Sequence, residues 1–463
     1  MHVEELFESA IVTAQDGKYV AALIAMQEVL LRDPKHARAW NGYAMLAGKL
    51  GNHFVALTGF DQAIICDPSN PDYVSNRGFA LMDLDKIEMA LAAFEDTLKI
   101  KPDHTAALVN RGNALRRLRR EQEAVESYRR AIEINPELAQ AHFGLATALL
   151  ALGHLKEGFS EFEWRWKNGS GGIERESSHK RWRGEPLTKR DGLLIYGEQG
   201  IGDCIQFARY APLVKKRWPE AKVYLEVRPM FARLAKTMTG IDGICQVGDT
   251  LPDGITHIVP ILSLPHILGT DLDSIPSAPS YFHANSDAVK VWEKTFSNLP
   301  GLKVGLCWAG RARPNQPVAD AIDQRRSMKL ADFAPLAGMA SFVSLMEVTN
   351  PAAQQVHNPP DGLKIVDCAD CMDDLYATAA LITSLDLVIT VDTAIAHLAA
   401  SLGKETWMLA RFDTCWRWLT GRSDSPWYPT MRIFTQPQPG DWASVVESVR
   451  DGLQGRKHLF LAA

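Results

Sequence analysis

The stretch that decides the fold reads "GEQGIGDCIQF", Gly197–Phe207. Three glycines, Gly197, Gly200 and Gly202, crowd a turn directly after the apolar run "LLIYG", and a carboxylate, Asp203, follows the last of them. A dinucleotide fingerprint has the order G-x-G-x-x-G, whereas this turn reads G-x-x-G-x-G. No Lys-Ser/Thr pair follows it, so it is not a Walker-type phosphate loop either. Glu226, at the end of the next apolar run, imitates the ribose-binding acid of a dinucleotide site but lacks the fingerprint that would give it that role. What remains is a tight turn that brings backbone close to a ligand and sets Asp203 at a helix start. Asp caps helices well, yet capping alone does not call for three glycines.

Around the turn the chain alternates short apolar runs with helical patterns. "GLLIYG", "KVYLEV", "THIVPI", "LKVGLCW", "SFVSLM", "LDLVITV" and "TWMLA" read as strands, and 203–217, 228–238, 372–384, 393–402 and 441–453 as helices. Such alternation predicts parallel sheets with helices on both faces. The strands fall into two sets on either side of the amphipathic stretch "SDAVKVWEKTFSNLP", which predicts two doubly wound lobes, 191–285 and 286–463, facing each other across a cleft. Ligands of open α/β sheets bind at the carboxyl ends of the strands, so the loops there hold the candidate site.

The first third of the chain is a repeat. Pro34, Pro68, Pro102 and Pro136 stand at a constant step of 34 residues. Twelve residues before each is an alanine (Ala22, Ala56, Ala90, Ala124), and eight before each a bulky side chain (Met26, Phe60, Phe94, Tyr128). Each unit reads as a helical hairpin, small where its helices touch and ended by a proline that cannot continue the hydrogen-bond ladder. Each hairpin leaves one face bare, so units must stack. The period and positions resemble the tetratricopeptide repeat (TPR) over roughly residues 3–136. A further hairpin, "AQAHFGLATALLALGHLKEGFSEFEWRW", lacks the closing proline and ends in Phe162, Trp164 and Trp166, expected to cap the stack. Asn76 and Asn110 repeat on the first helix of successive units. That position lines the concave groove of a TPR solenoid, where an amide suits an extended peptide acceptor; solvated polar residues on a helix face are the alternative. The repeats are expected to span 1–168, with the polar, glycine-rich 169–190 as a linker.

Bulk properties narrow the class. Of 463 residues, 46% are hydrophobic and 23% charged, with a net charge of -5, which gives no basic footprint for nucleic acid. The N-terminus, "MHVEELFESAIVTAQDG", lacks the basic start and apolar run of a secretion signal. The most apolar segment, Ala379–Leu402, contains Asp386, Asp392 and His397, so no membrane span is expected. Seven cysteines, odd in number and scattered, suit a reducing compartment, and the expected location is cytoplasmic. "CADC" (Cys368, Cys371) has the spacing of half a zinc site without a second pair, so no metal and no resident cofactor are expected.

In the second lobe the densest motif is "VITVDTAIAHLAASLGK". A buried strand ends at Val391, and Asp392 and Thr393 stand where a helix begins, whose free amides and dipole favour phosphate. Asp392 is expected to cap that helix and hold the loop. His397 follows one turn in, on the cleft side; a packed helix histidine is the alternative.

These residues carry a resemblance. "GIGD" after the first strand of one lobe and "DTAIAHLAASLGK" in the other look like the signatures of bacterial heptosyltransferase-type glycosyltransferases. TPR repeats, "EWRW", "GEQGIGD", "DTAIAH" and "WRWL…DSPWYP" in that order resemble bacterial TPR-containing glycosyltransferases, including some that modify flagellin. The resemblance implies an α + α/β chain, a TPR α-solenoid followed by a two-lobed GT-B (twin Rossmann-like) domain. It implies a metal-independent, inverting transfer from a nucleotide sugar, as co-substrate, to an acceptor, Ser or Thr of a protein held in the TPR groove. In it the catalytic base falls on Asp203, in the turn of Gly200 and Gly202, and the donor pyrophosphate and sugar on Asp392, Thr393 and His397.

The sequence also departs from the family. Met346 stands where a glutamine is expected to read the base, and "AGRARPNQPVADAIDQRRSMKL" is acidic and proline-bearing for a phosphate loop. It supplies Arg325, Arg326 and Ser327. Arg326 is favoured as a phosphate partner because guanidinium clamps phosphate with two prongs and keeps its charge. In "CWRWLTGRSDSPWYP", Arg417 is the expected donor ligand, and Trp418 and Trp427 are base- or sugar-stacking residues or else an apolar plug. These departures leave a second class open, a non-catalytic TPR scaffold with a degenerate GT-B domain. A nucleotide-sugar epimerase, which shares the fold, has no evident need of a solenoid.

Overall fold

The computed structural model describes residues 2–461 apart from 172, 173 and 314, so parts of the glycine-rich segment and of the proline-bearing loop lie outside the described residues. Two compact units emerge. One runs to Leu152 and takes in Glu161–Asn168; the other takes Gly153–Ser160 and the chain from Gly169 onward. Within the expected span 1–168, Gly153–Ser160 belongs instead to the α/β unit: Phe159 packs edge-on against Phe207 and Trp416, at 6.3 and 5.8 Å.

The helical unit follows the 34-residue step. Hairpins Val3–Gln15/Tyr19–Arg32, Ala37–Lys49/His53–Cys66, Pro71–Asp83/Ile87–Ile100 and Thr105–Arg117/Glu121–Ile134 precede helix Ala139–Ala151. Each of the four prolines lies two residues beyond the end of a second helix. The repeated alanines and bulky residues are buried throughout. The sequence "NRG" explains itself here: a Cβ on Gly78 would meet the Phe94 ring at 2.6 Å, and one on Gly112 would meet the Tyr128 ring at 2.6 Å. The small residue is where the neighbouring helix lays its aromatic. At the end of the stack Trp164 lies flat on His142, ring centroids 3.8 Å apart.

The α/β unit holds two wholly parallel sheets. The strands are β1 (Lys180–Arg181), β2 (Gly192–Tyr196), β3 (Lys222–Val227), β4 (Gly243–Gln246), β5 (Ile255–Pro260), β6 (Lys303–Cys307), β7 (Ser341–Ser344), β8 (Ile365–Val366), β9 (Leu387–Val391), β10 (Thr406–Ala410) and β11 (Met431–Thr435). Their orders are β1-β5-β2-β3-β4 and β11-β10-β9-β6-β7-β8. Residues of β2, β9 and β10 are buried on both faces, as helices covering both sides of a parallel sheet require. Together with the repeats this is a TPR solenoid followed by a GT-B-like domain. Four edge strands, β1, β4, β8 and β11, were not expected. β1 corrects the linker: the segment 169–190 adds a strand to β5 and buries Trp182 completely. Residues 281–282 already lie on the second lobe, where the amides of Tyr281 and Phe282 donate to the Ser401 carbonyl at 3.0 and 3.4 Å. The crossing therefore comes a few residues before 285.

Strand order fixes where a ligand would lie. In the first sheet the chain winds from β2 out to β4 and returns to the other side of β2 with β5. In the second it winds from β6 to β8 and returns beside β6 with β9. The loops after β2, β6 and β9 thus stand at topological switch points.

Candidate functional site

After β2 the chain turns into helix Ile201–Ala208, with Gly200 at its cap and Asp203 in its first turn. Asp203 Oδ2 accepts from the Gly200 amide at 3.0 Å. Each of the three glycines makes a close protein contact that a side chain would block. A Cβ on Gly197 would collide with Cys204 Sγ, and one on Gly200 would press Asp203 Oδ2 at 3.2 Å. A Cβ on Gly202 would lie 2.9 Å from His397 Cδ2 and 3.5 Å from its Nε2. Gly202 therefore lets the first lobe touch the second.

In the second lobe helix Ala394–Ser401 begins directly after β9. Thr393, not Asp392, occupies its cap position, without a side-chain capping bond, which corrects the capping role expected of Asp392. Thr393 Oγ1 lies 3.2 Å from Thr390 Oγ1 and 3.7 Å from Cys307 Sγ. Asp392 acts at a distance, favouring the charged forms of His397 and Arg417. His397 is buried between Trp418, stacked at 5.0 Å, and Tyr428, whose hydroxyl is 2.9 Å from Nδ1. Burial lowers its pKa to about 4, against the pull of Asp392 and Asp203, so the imidazole is neutral at pH 7.

The lobes meet in an ion pair. Arg417 Nη2 donates to Asp203 Oδ1, and both side chains are largely buried. Arg417 comes from the 3₁₀ turn Trp416–Trp418, after which Leu419 takes φ 55°, an uncommon conformation for a non-glycine residue. Burial would drain the Arg417 charge, but Asp203 beside it holds the pKa above the usual guanidinium value.

The proline-bearing loop after β6 forms a helix, Pro317–Arg326, with Arg325 and Arg326 in its last turn. Arg326 donates from Nε and Nη2 to Asp323 Oδ1 at 2.9 and 2.6 Å. Arg325 Nη2 lies 3.3 Å from Asp413 Oδ2, and Ser327 Oγ accepts from the Gly310 amide at 3.0 Å. Gly310 has no room for a Cβ against Asp323 and Arg326. Met346 is buried beside Cys307, Sδ to Sγ 3.8 Å.

Trp418 and Trp427 are fully buried, so they form the apolar plug and offer no face to a ligand. Glu226 is buried and accepts from Arg175 Nη1 at 2.7 Å. It lines a cavity of about 330 Å³ with Tyr196, Gly197 and Glu198 beyond the carboxyl ends of β2 and β3. In the repeat unit Asn76 Nδ2 donates to Asn41 Oδ1 at 2.9 Å, and Asn110 is half-buried. Among the described residues no group of three or more His, Cys, Asp or Glu is disposed to hold a metal, and no helix is long and apolar enough to cross a membrane. Sequence reasoning missed Tyr428, which bonds His397, and Arg209 of the first lobe, which lies against the Tyr281 and Tyr428 rings; the "DSPWYP" run was the one local signal for Tyr428.

Comparison with known proteins adds the following. Residues 9–71 and 76–139 match the family model described as tetratricopeptide repeat, and residues 361–409 the one described as glycosyltransferase family 9 (heptosyltransferase). The second match contains β9 and the Asp392–His397 motif. Protein FlbA of Caulobacter vibrioides is 25% identical over 341 residues, 68% of this chain and 55% of its own, so the chain spans about half the length of that relative. Similar solved structures include a thermophilic TPR protein from Thermus thermophilus, 19% identical over 36% of this chain and 92% of that one, TM-score 0.33. Another is a tetratricopeptide repeat protein from Parabacteroides merdae, 21% identical over 36% and 67%, TM-score 0.33. The chain thus joins TPR repeats to a segment similar to the glycosyltransferase family 9 (heptosyltransferase) model.

Proposed function

We propose that this protein transfers a sugar from a nucleotide-sugar donor, with inversion, to a hydroxyl of a protein acceptor recruited by the TPR repeats. The acceptor O–H loses its proton to Asp203 as its oxygen attacks C1 of the donor sugar. The bond from C1 to the diphosphate oxygen breaks in the same step, and the nucleoside diphosphate departs with the electron pair. The free amides of helix Ala394–Ser401, Thr393, Arg326 and Arg417 receive that charge.

One observation carries the reading: Asp203 and the phosphate-suited helix end come from opposite lobes and meet at one place, with Gly202 packed against His397. Arg417 is paired with Asp203, and Arg326 with Asp323. A diphosphate offers both guanidiniums a doubly charged partner, so donor binding would free the carboxylate as it fills the site. Asn76 and Asn110 would hold acceptor backbone in the groove.

The Arg417–Asp203 pair also favours a second reading, a scaffold whose domain binds a nucleotide sugar without turning it over. Asp203→Asn separates the two. It keeps an oxygen for the helix cap but removes the base, so transfer should fall by about 10²–10⁴-fold. Stabilisation by UDP-, GDP-, ADP- or CMP-sugars, which rises with ligand concentration, should survive. Undiminished turnover in the Asn variant would overturn the assignment; wild-type protein that is stabilised by a donor yet never transfers or hydrolyses it would leave the scaffold.

A further inference from the structure

We propose that Tyr428 and Arg209 are positioning residues that hold His397 as the imidazole protonated on Nε2, so that an N–H bond rather than a lone pair faces the Gly202–Asp203 turn. The inference rests on the sugar-transfer reading for what that N–H serves, an oxygen of the bound donor. The tautomer itself stands on the contacts and on the burial that keeps the ring neutral.

Arg209 follows the end of helix Ile201–Ala208 and is buried, 4% exposed. Its charge is met by carbonyls and rings. Nε donates to the Gln206 carbonyl at 2.7 Å, Nη1 to the carbonyls of Pro276 at 3.2 Å and of Trp427, and Nη2 to the Tyr281 hydroxyl at 3.0 Å. Its guanidinium carbon lies 4.7 Å from the Tyr281 ring centre and 4.4 Å from that of Tyr428. A cation over a phenol ring draws electron density from the oxygen. Burial raises the Tyr428 pKa well above the usual phenol value, and the Arg209 charge opposes that rise, which favours the hydroxyl as a hydrogen-bond donor.

Two acceptors compete for the Tyr428 proton, His397 Nδ1 and the Tyr281 oxygen. Tyr281 already accepts from Arg209 and gives its own proton to the Ile205 carbonyl at 2.9 Å. The imidazole nitrogen, 2.9 Å from the Tyr428 hydroxyl, is the better base. A neutral imidazole that accepts at Nδ1 carries its proton on Nε2. The charged groups around His397 are Asp392 and Asp203 on one side and Arg417 and Arg209 on the other, and burial outweighs them in favour of the neutral ring. The Nε2 edge is the one that abuts Gly202. In the opposite tautomer a lone pair would stand there and His397 would rival Asp203 as base; with Nε2–H it donates instead.

The test uses the full chain labelled with ¹⁵N-histidine and a long-range ¹H–¹⁵N correlation at pH 7. His397 is picked out of the 13 histidines by its loss in His397→Gln. A pattern with Nε2 protonated and Nδ1 bare supports the proposal; a proton on Nδ1, or an average of two tautomers, overturns it. In Tyr428→Phe the pattern should become an average, with kcat about tenfold lower, the cost of one lost hydrogen bond, and donor KM little changed. A Phe variant that keeps the pure Nε2–H pattern overturns the role of Tyr428, and the wild-type spectrum decides the tautomer if that variant fails to fold. A protein with Nε2–H that transfers no sugar refutes the enzymatic reading and leaves the tautomer standing.

Discussion

Replacing Gly202 by alanine tests the contact on which the candidate site depends. The new Cβ would lie 2.9 Å from His397 Cδ2 and 3.7 Å from the Ala394 Cα. Carbon atoms rest at about 3.5–4.0 Å, so one side must retreat by roughly half an ångström. His397 has nowhere to go, being stacked on Trp418 and tied to Tyr428. The helix starting at Ile201 must move, and Asp203 with it. A displacement of about 1 Å at a reacting group costs about 10²-fold in rate, so half of that should lower kcat/KM about tenfold. Overpacking costs about 1–3 kcal/mol, offset by up to about 1 kcal/mol from the better helix propensity of alanine. Denaturant unfolding should therefore show a net loss of up to about 3 kcal/mol. The double variant with His397→Ala removes the opposing ring. In that background Gly202→Ala should cease to destabilise, a coupling that separates a clash from a backbone effect. Should Gly202→Ala instead stabilise the protein by about 1 kcal/mol and turn over at the wild-type rate, the two lobes do not touch there.

Other substitutions probe the same reasoning elsewhere. Gly112→Ala puts a Cβ 2.6 Å from the Tyr128 ring and should cost the repeat unit about 1–3 kcal/mol, seen as an earlier loss of helical circular dichroism on heating. Gly455→Ala, in helix Trp442–Leu461 with nothing within 4 Å of the new methyl, should instead stabilise by about 0.5–1 kcal/mol in denaturant titrations. Because the fold lowers the His397 pKa from 6.5 to about 4, the unfolded chain takes up a proton first as the pH drops. Stability is full above pH 6.5 and declines towards pH 4, by roughly 3 kcal/mol in all. His397→Gln should flatten urea-derived stability across that window, and an unchanged slope would contradict the buried neutral ring.

The periodic parts of the fold were legible because periodicity is a local property. The proline step, and the alanine and bulky residue that precede each proline, record helix ends and helix crossings between neighbouring elements, so they need no distant information. The seven central strands were equally plain as apolar runs long enough to cross a buried sheet. The strands that escaped, β1, β4, β8 and β11, are two to five residues long and sit at sheet edges, where one side is solvated and the apolar run breaks up. Lys180–Arg181 carries no strand signal of its own. It is a strand because β5 offers it an open ladder and because Trp182 beside it finds a buried place.

The site was legible only as motifs at strand ends, and the glycine turn shows why the rest was not. Three glycines within eleven residues announce that something approaches closely, but the sequence does not say what. The approaching atoms belong to Cys204, to Asp203 and to His397, nearly two hundred residues away. Arg209 is harder still. A buried guanidinium is usually sought beside an acid, and this one is met by carbonyls from three segments and by two phenol rings, none of which carries a charge to look for. Its neighbours in sequence, Ala208 and Tyr210, are as buried as the core around them. Polarity without a complementary charge leaves no pattern along the chain. It becomes visible only when the two lobes are folded against each other and the cation is found between Tyr281 and Tyr428, one hydroxyl away from His397.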